Sequence, residues 1–476
     1  MLSLKKDFVG GEKMSYTSPS FLFLFLPAII LLYSVTQNHL KKYALLIINI
    51  AFYALFNIKR PIALVFLVCF MFFTYLAGKG IRISGSRFLL AFFVSIEVFA
   101  FFSYRIISPS APEHGYFVLS GTSLLLLSSV SYLCDVYRKD ADPNLSFVDM
   151  ATYISFFPIV AAGPIIKYKD FLYLLENRNF CVENVSSGIV KFCSGFIKKV
   201  VIASTLCEAL GVILPMYPSN VTFGSFLCVS LIFFFGVMFE LWGYVDMASG
   251  AALILGYRMR DNFKNPASSC GTLDFFGRFY IGLKDWIREY VYIPLAKNDD
   301  RINFAAIFVS CIFGALWFKT DLITLAAGVI FAFCICAEKK LSFEKPAKKR
   351  SALRAFAVAL TFVFVSIMFF VMSAGSLADI TERILPIGSA PDGSNLYLIY
   401  TSLFDLKFIF AAAFVLVIFV QPILERAIRL VSGTKAHNIY RLVSNLLVLV
   451  LFVFSILYFL PQSSGSSSVF FDLIPF

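Results

Sequence analysis

Long apolar stretches recur along almost the whole of this chain, and they constrain its fold more than any other feature. Of the 476 residues, 59% are hydrophobic and only 15% are charged, and the mean hydropathy is +0.82. A soluble core of this size cannot bury so much apolar surface, so the composition excludes a soluble globular protein. The sequence predicts an all-α integral membrane protein with about 11 crossings, together with re-entrant or interfacial helices where a stretch falls short of roughly 20 residues.

One membrane domain is expected to cover residues 14–476. Residues 1–13 form a short N-terminal extension without an apolar run of its own, and they would be absent if translation began at Met14. The loops around Lys41 and Lys79 are more basic than those around Lys59 and Arg105, which favours an external N-terminus.

The formal charge of +12 would also suit a nucleic-acid-binding protein, but its distribution does not. Lysines and arginines stand mostly singly or in pairs between apolar stretches, as in the cytoplasmic loops of membrane proteins. The segment 339–354, KKLSFEKPAKKRSALR, is typical of a cytoplasmic loop close to anionic lipid, and docking of an acidic partner is the alternative. We therefore expect membrane lipid, and no nucleic acid, as a partner.

The residue types that hold metals are sparse. The ten cysteines show neither a C-x-x-C pair nor a zinc-ligand spacing, and most lie in or beside apolar stretches, where cysteine packs as a small hydrophobic residue. The three histidines, His39, His114 and His437, stand between apolar stretches and are expected in solvated loops. We expect no metal site and no bound cofactor.

Residues 131–171 read SYLCDVYRKDADPNLSFVDMATYISFFPIVAAGPIIKYKDF and contain an interrupted apolar run. Pro158, Gly163 and Pro164 favour a broken or re-entrant helix, whose freed backbone groups need protein or water around them. Breaks of this kind often line the path of a ligand. A single kinked packing helix is the alternative.

Two carboxylates, Glu240 and Asp246, interrupt the apolar segment 239–247, which reads FELWGYVDM. An unpaired carboxylate is costly to bury in a membrane, so each must face a cavity or a partner, and both are site candidates. The alternative is that they lie at helix ends and pair with Arg258 or Arg260.

Residues 274–295, DFFGRFYIGLKDWIREYVYIPL, mix aromatic and charged side chains. This mixture is typical of an amphipathic helix at the membrane interface, with rings at headgroup level and basic groups near phosphate. A catalytic element is the alternative. The candidates for interface or tunnel contacts here are Arg278, Trp286, Arg288 and Tyr290.

These segments together resemble the signature regions of the membrane-bound O-acyltransferase family, in its bacterial branch that acylates cell-surface polymers. The family pattern SYLxDVYRG…FFPxxxAGPIxRYxDF resembles residues 131–171, and FDFSGYSDMA resembles 239–247, with Glu240 replacing an aspartate and Trp242 replacing a serine. The patterns WRRWHISLSxWxRDYxYIPLGG and GLWHG resemble residues 274–295 and the sequence ALWFK at 315–319. In these two blocks Tyr280 and Phe318 stand where the family has histidines.

The resemblance runs from about Ser18 to the end of the chain and implies a bundle of about eleven membrane helices around a central tunnel. Trp242 would narrow that tunnel, and Trp317 would lie beside it. The family's activity implies transfer of an acetyl or D-alanyl group from a cytoplasmic thioester, acyl-CoA or an acyl-carrier protein, to a cell-surface polysaccharide or glycopolymer. It also implies an extracytoplasmic transferase or polymer acceptor as a partner, and a bacterial inner or plasma membrane as the location.

The two substitutions bear directly on catalysis. In the family the histidine of GLWHG takes the proton of the attacking hydroxyl, a step suited to a group with a pKa near 6.5. The ring of Phe318 cannot accept a proton, and the phenol of Tyr280, with a usual pKa near 10, is a poor base.

Two hypotheses follow from these substitutions. In the first, the chain still performs or relays O-acylation, with Glu240, Asp246, Tyr280 and Lys319 as the remaining polar groups. In the second, it is a catalytically degenerate homologue that serves as an acyl or lipid conduit or as an assembly subunit.

Overall fold

The computed structural model describes residues 14–58, 60–110, 121–140, 146–216, 223–296, 303–340, 351–384, 415, 440 and 442–457. Within these residues the regular elements are all helices. The expected extension 1–13, most of the basic segment 339–354, and His114 and His437 lie outside the described residues. His39 is exposed between two helices, as predicted.

The first part of the chain forms five helices, of which the fifth is the most buried. A π-helical turn, Phe21–Phe25, leads into the first of them. The five are α1 (Leu26–Val35), α2 (Lys41–Phe56), α3 (Ile62–Ser84), α4 (Arg87–Ser110) and α5 (Thr122–Arg138).

The middle of the chain contains short helices and then the longest one. They are α6 (Phe147–Ile154), α7 (Phe157–Ala162), α8 (Tyr168–Glu176), α9 (Val182–Ile197), α10 (Ser204–Met216) and α11 (Phe223–Ile254). A π-helical stretch, Lys198–Ala203, joins α9 to α10.

The last part begins with small helices and ends with apolar ones. They are α12 (Thr272–Phe276), α13 (Ile281–Ile287), α14 (Ile293–Ala296), α15 (Phe304–Phe318), α16 (Leu322–Lys340), α17 (Ser351–Met372), α18 (Leu377–Ile384) and α19 (Leu442–Leu457). A second π-helical stretch, Arg288–Tyr292, joins α13 to α14.

Within the described residues, four helices are long and apolar enough to cross a membrane, namely α3, α11, α16 and α17, and the apolar helices α15 and α19 are shorter. The protein is therefore a multi-pass membrane protein. The number of about 11 crossings stays a prediction.

Helix α11 lies at the centre of the fold and packs against α7, α9, α10 and α17. Glu240 and Asp246 interrupt the apolar sequence, but the helix continues through both positions as a single element of 32 residues. The two carboxylates consequently lie within a helix and not at its ends. The sequence-based alternative that placed them at helix ends is therefore wrong.

Helices α9 and α11 are so close at two glycines, Gly195 and Gly250, that a larger residue at either position would collide with the backbone of the other helix. A methyl group at Gly195 would lie 2.6 Å from the backbone nitrogen of Met247, and one at Gly250 would lie 2.6 Å from that of Phe192. Small residues at such crossings let membrane helices pack backbone to backbone. The same approach brings the residues that follow Gly195 to the middle of α11.

The interrupted run around Pro158 forms two helices rather than a single kinked one. Helix α6 ends at Ile154, α7 starts with Pro158 in its first turn, and the chain is extended at Gly163. The Asn49 side chain supports this break, since its amide accepts from the Phe157 nitrogen (3.2 Å) and donates to the Thr152 carbonyl (3.2 Å). The freed backbone groups thus bond to protein, as a break in a membrane helix requires.

The segment 274–295 does not form the single interfacial helix that its composition suggested. It is divided into α12, α13, a π-helical stretch and α14, and the rings of Phe275, Phe279 and Trp286 are buried. Its aromatic residues pack into the protein, and its charged residues find partners there. A mixture of aromatic and charged residues suits both an interfacial helix and an internal polar segment. The sequence alone could therefore not distinguish the two structures.

The close contact of α9 with α11 predicts different effects for two glycine substitutions. Gly195→Ala should lower stability by about 1–3 kcal/mol, because the new methyl group collides with backbone. Gly211→Ala, in α10, adds a methyl group with no atom within 4 Å and should cause no loss. Thermal midpoints of the two purified variants in detergent would measure this. Equal midpoints would contradict the close contact.

Candidate functional site

Tyr280 and Phe318 lie on the same cavity, although they come from separate helical segments. The cavity has a volume of about 260 Å³ and is lined by residues of 273–292, α15, α16 and α17. Its walls are mostly apolar, with Phe279, Phe331 and Phe369 among them. We call it the 280–318 cavity. The structure therefore brings together the two positions that the sequence comparison singled out.

Tyr280 is held in an unusual conformation at the start of α13. Its φ angle of 48° is in the left-handed region, which a non-glycine residue rarely adopts, and its side chain is only 2% exposed. The hydroxyl donates a hydrogen bond to the carbonyl oxygen of Gly163 (3.3 Å). Burial raises the pKa of the Tyr280 phenol above its usual value, so the group stays neutral and serves as a donor. Tyr280 thus ties the cavity wall to the break after α7.

Phe318 is the last residue of α15, a helix whose start is fixed by the Asn303 side chain accepting from the Ala306 nitrogen (3.0 Å). Its ring is 5% exposed and packs edge-on against Phe369, with centroids 5.7 Å apart. The phenyl group therefore contributes shape and apolar surface to the cavity.

Lys319 follows Phe318 but is not among the residues that line the cavity. Its ammonium group donates to the carbonyl of Ala374 (2.6 Å) and pairs with Asp321 (2.9 Å). These contacts hold the end of α15 against the end of α17. The geometry gives Lys319 an anchoring role.

The charged groups that line the 280–318 cavity in the described part of the chain are all cations. Lys284, Arg288 and Lys339 line it, and the Lys339 ammonium lies 5.5 Å from the centre of the Tyr292 ring. The Ser310 hydroxyl also lines it and is buried without a hydrogen-bond partner among the described residues. The arrangement suits a ligand with an apolar part and an anionic part.

Glu240 and Asp246 are paired inside the bundle and do not line this cavity. Glu240 accepts a hydrogen bond from Lys199, and Asp246 accepts one from Lys198. Both lysines come from the π-helical stretch after α9. The expected pairing with Arg258 or Arg260 is wrong, because the partners are lysines that lie more than 40 positions earlier in the chain.

Trp242 lies between aromatic rings and beneath a cation. It stacks on Phe239 (6.0 Å between centroids) and on Phe263 (5.4 Å), and the Lys198 ammonium lies 4.4 Å from the indole centre. Phe263 in turn contacts the ring of Tyr280, at 6.2 Å. Trp242 thus connects the buried ion pairs to the cavity wall through packed rings.

A polar network joins the SYLCDVYR segment to the segment around Tyr290. The Tyr168 nitrogen donates to the Ser131 hydroxyl (3.0 Å), and the Ser131 and Tyr290 hydroxyls are 2.8 Å apart. The Tyr290 hydroxyl donates to one oxygen of Asp135 (2.8 Å), and the backbone nitrogen of Lys169 donates to the other (3.0 Å). Every step of this chain has a donor and an acceptor, so the buried Asp135 carboxylate is fully bonded.

Glu289 extends the network at its more exposed end. Its side chain accepts from Arg138 (2.9 Å) and Lys169 (3.1 Å) and lies 3.6 Å from the Lys167 ammonium. Arg138 also donates to the Glu289 carbonyl (3.0 Å). One carboxylate therefore pairs with three cations, Arg138 at the end of α5 and Lys167 and Lys169 at the start of α8.

The remaining candidates from the aromatic blocks have packing partners. The Trp286 indole nitrogen donates to the carbonyl of Leu127 (3.1 Å), and Arg278 bonds to Asp274 (2.8 Å) and to the Ser268 hydroxyl (3.0 Å). Trp317 is buried and stacks on Phe101, with centroids 5.4 Å apart. Of the candidates in these blocks, Arg288 joins Tyr280 and Phe318 at the cavity.

The sequence analysis missed Glu97, a buried acid in α4. One of its oxygens accepts from the Ser129 hydroxyl (2.5 Å), and the other is buried with no hydrogen-bond partner among the described residues. It lines a cavity of about 20 Å³ next to Trp286 and Trp317, a space large enough for one water molecule. A single acid within an apolar run was the signal that could have identified it.

The polar network predicts a loss of stability for Tyr290→Phe. The change removes the hydroxyl that bonds to Asp135, and a buried carboxylate oxygen without a partner costs about 1–3 kcal/mol. Tyr173→Phe is the control, because Tyr173 is 65% exposed. Thermal midpoints in detergent should fall for the first variant alone. A matching fall in both would show that the network is not the cause.

Glu289 predicts a pH dependence of stability. Burial acts to raise its pKa, but the hydrogen bond from Lys169 and the charges of Lys169, Lys167 and Arg138 outweigh it and hold the pKa below the usual 4.5. A folded-state pKa below that of the unfolded chain gives stability that is full above pH 4.5 and is lost as the pH falls through the folded-state value.

The variant Glu289→Gln should therefore be less stable than the wild type at pH 7, and the two should converge as the pH falls below 4.5. Thermal midpoints of the two proteins, measured from pH 7 to below pH 4.5, test this convergence. Glu176→Gln, at an exposed position, should follow the wild type throughout. A gap between Glu289→Gln and wild type that persists at low pH would rule out the ionic origin.

Comparison with known proteins agrees with the residue patterns. The model of the MBOAT family, the membrane-bound O-acyltransferases, matches residues 43–376. "Probable alginate O-acetylase AlgI" of Pseudomonas putida is 29% identical over 395 residues, which is 76% of this chain and 78% of that protein. "Peptidoglycan O-acetyltransferase" of Helicobacter pylori is 24% identical over 79% of each chain. "Teichoic acid D-alanyltransferase" of Bacillus subtilis is 25% identical over 63% of this chain and 80% of its own.

The family match covers well over half of the chain, and it includes Tyr280, Phe318 and the whole of the polar network. The chain belongs to the membrane-bound O-acyltransferase family.

Proposed function

We propose that this protein acts in the acylation of a cell-surface polysaccharide or glycopolymer, and that the 280–318 cavity holds the acyl group. The observation that carries the proposal is that Tyr280 and Phe318 line one mostly apolar cavity with cations on its wall. The relatives named above act on alginate, peptidoglycan and teichoic acid, and all three are polymers outside the cytoplasm. Acetyl and D-alanyl groups are the acyl groups that their names imply.

The cations of the cavity support a thioester as the donor. Acyl-CoA and the phosphopantetheine arm of an acyl-carrier protein both carry phosphate, for which Lys284, Arg288 and Lys339 are suitable partners. The apolar walls suit the acyl end. An acyl-carrier protein on the cytoplasmic side and an extracytoplasmic transferase or polymer acceptor are the proposed partners, and the inner membrane is the proposed location.

A specific observation favours a second role, that of a conduit without turnover of its own. Phe318 has no ionisable group, and Tyr280 donates its hydrogen bond to Gly163. Glu240, Asp246 and Lys319 are each held in ion pairs away from the cavity. The polar residues proposed to replace the histidines are therefore occupied, which supports a protein that holds an acyl group and passes it on.

Restoring the histidines separates the two roles. Radiolabelled acetyl or D-alanyl thioesters would be supplied to the purified protein in liposomes, for the wild type, Phe318→His and the double variant Tyr280→His/Phe318→His. If the wild type is a conduit, the labelled thioester should stay bound and intact. In the double variant a histidine would take a proton from water as the water oxygen attacks the thioester carbonyl, and the free labelled acid and the thiol should appear about 10² to 10⁴ times faster than the wild-type background, the usual effect of a general base.

Phe331→His is the matched control, because Phe331 lines the same cavity but lies outside the segments that resemble the family patterns. A gain in this control as large as in the double variant would contradict a site-specific base. Wild-type turnover as fast as that of the double variant would show that the protein catalyses the transfer itself. Absence of bound label in every variant would refute the proposed function.

A further inference from the structure

A second cavity lies at the start of α2, close to the turn between α8 and α9. Its volume is about 630 Å³, and its wall includes Asn38, Lys41, Lys42, Asp149, Arg178 and Phe180. We call it the Lys41 cavity. It shares no residue with the 280–318 cavity. Neither the family comparison nor the sequence patterns assign it a role.

Lys41 is the most constrained charge of this cavity. It is only 8% exposed, and its ammonium lies 5.2 Å from the centre of the Tyr33 ring and 5.1 Å from that of Phe180. Among the described residues no carboxylate lies within ion-pair distance of it. A cation buried this deeply normally has an anionic partner.

Arg178 adds a second positive charge next to Lys41. Its guanidinium donates to the carbonyl of Asn38, which leaves further N–H groups for another acceptor. Burial, and then the charge of Arg178, lower the pKa of the Lys41 ammonium, so the two cations are close enough to repel. An anion between them would relieve both the repulsion and the lack of a partner.

The carboxylates of the wall do not supply that anion. Asp149 pairs with Lys42, at 3.4 Å. Glu176 is exposed. The cavity therefore carries three cations against two carboxylates, and neither Lys41 nor Arg178 is paired with a carboxylate among the described residues.

The surroundings of the cavity indicate a lipid. Leu172 and Leu175 contribute apolar wall, while Tyr43 and Tyr173 beside it are 46% and 65% exposed. Exposed tyrosines at such a position are typical of the level of the lipid headgroups. A ligand with a phosphate group and hydrocarbon chains would match both parts of this environment.

A series of contacts connects the cavity to Lys79, another basic residue. Lys42 pairs with Asp149 in α6, whose Phe147 contacts Tyr75, and the Lys79 ammonium lies over that same Tyr75 ring. Basic groups concentrate on the cytoplasmic side of membrane proteins, where the lipid surface is negatively charged.

We propose that the Lys41 cavity binds the phosphate group of an anionic phospholipid from the cytoplasmic leaflet. Lys41 and Arg178 contact the phosphate oxygens, and the acyl chains lie along Leu172 and Leu175 towards the membrane. The site is independent of acyl transfer, so its test does not depend on the function proposed above.

Native mass spectrometry of the full-length protein in detergent would test this, with phosphatidylglycerol and phosphatidylcholine as probes. The wild type should retain one phosphatidylglycerol in preference to phosphatidylcholine. The variant Lys41→Gln/Arg178→Gln should bind it on the order of tenfold more weakly, since each basic residue near anionic lipid contributes about a few-fold in affinity. Unchanged binding by this variant would overturn the proposal.

Two further variants guard against misfolding and general charge effects. Arg260→Gln/Lys264→Gln removes two exposed cations elsewhere and should bind like the wild type, and an equal loss there would overturn the site. Lys41→Arg/Arg178→Lys keeps both charges and should restore binding. Inorganic phosphate at millimolar concentration serves as the competitor. If it displaced the lipid completely, the site would be one for soluble phosphate and the lipid assignment would be wrong.

Discussion

Lys198 and Lys199 allow two carboxylates to lie inside an apolar helix, and the centre of the bundle depends on this pairing. Removal of one partner from a buried ion pair typically costs about 3–5 kcal/mol, because it leaves an uncompensated charge. The contact is possible only because Gly195 lets α9 approach the backbone of α11. The close contact at Gly195 and the two ion pairs therefore act together. They allow α11 to lie at the centre of the bundle although it carries two charged residues.

Both internal π-helical stretches carry charged residues that meet another part of the bundle. In the stretch Lys198–Ala203 the first two residues reach Asp246 and Glu240. In Arg288–Tyr292 the residues Glu289 and Tyr290 reach α5. An α-helix directs neighbouring residues to different faces, and a wider turn changes that relation locally. The π geometry explains how adjacent side chains can both contribute to one interior network.

The sequence predicted those features that local chemistry determines. The break at Pro158 was predictable because proline lacks an amide hydrogen and cannot continue the preceding helix, whereas it fits the first turn of a new one. The helical, membrane-embedded class followed from the apolar stretches alone. The positions of Tyr280 and Phe318 were marked by the family resemblance, whereas their meeting at one cavity required the structure.

Features that depend on distant partners could not be predicted. Glu240 and Asp246 interrupted the apolar pattern of α11, and nothing local indicates that Lys199 and Lys198 neutralise them. Glu97 could have been noticed as a single acid within an apolar run, but its partner Ser129 lies on another helix and could not be predicted. The rings and charges of 274–295 would suit a membrane surface, and only the contacts with Asp135 and Leu127 show that this segment is internal.

The substitutions at the 280–318 cavity change more than the supply of a base. A thioester is lost to hydrolysis only where water reaches it, and a cavity that excludes water protects such a group. A phenyl ring at position 318 and a phenol bonded to Gly163 make the wall less polar than two imidazoles would. The side chains that replace the two histidines of the family pattern therefore also give the cavity a wall that suits a group sensitive to hydrolysis. Because the Tyr280 hydroxyl donates to Gly163, just after α7, any ligand that displaced this hydroxyl would also leave the Gly163 carbonyl without that donor.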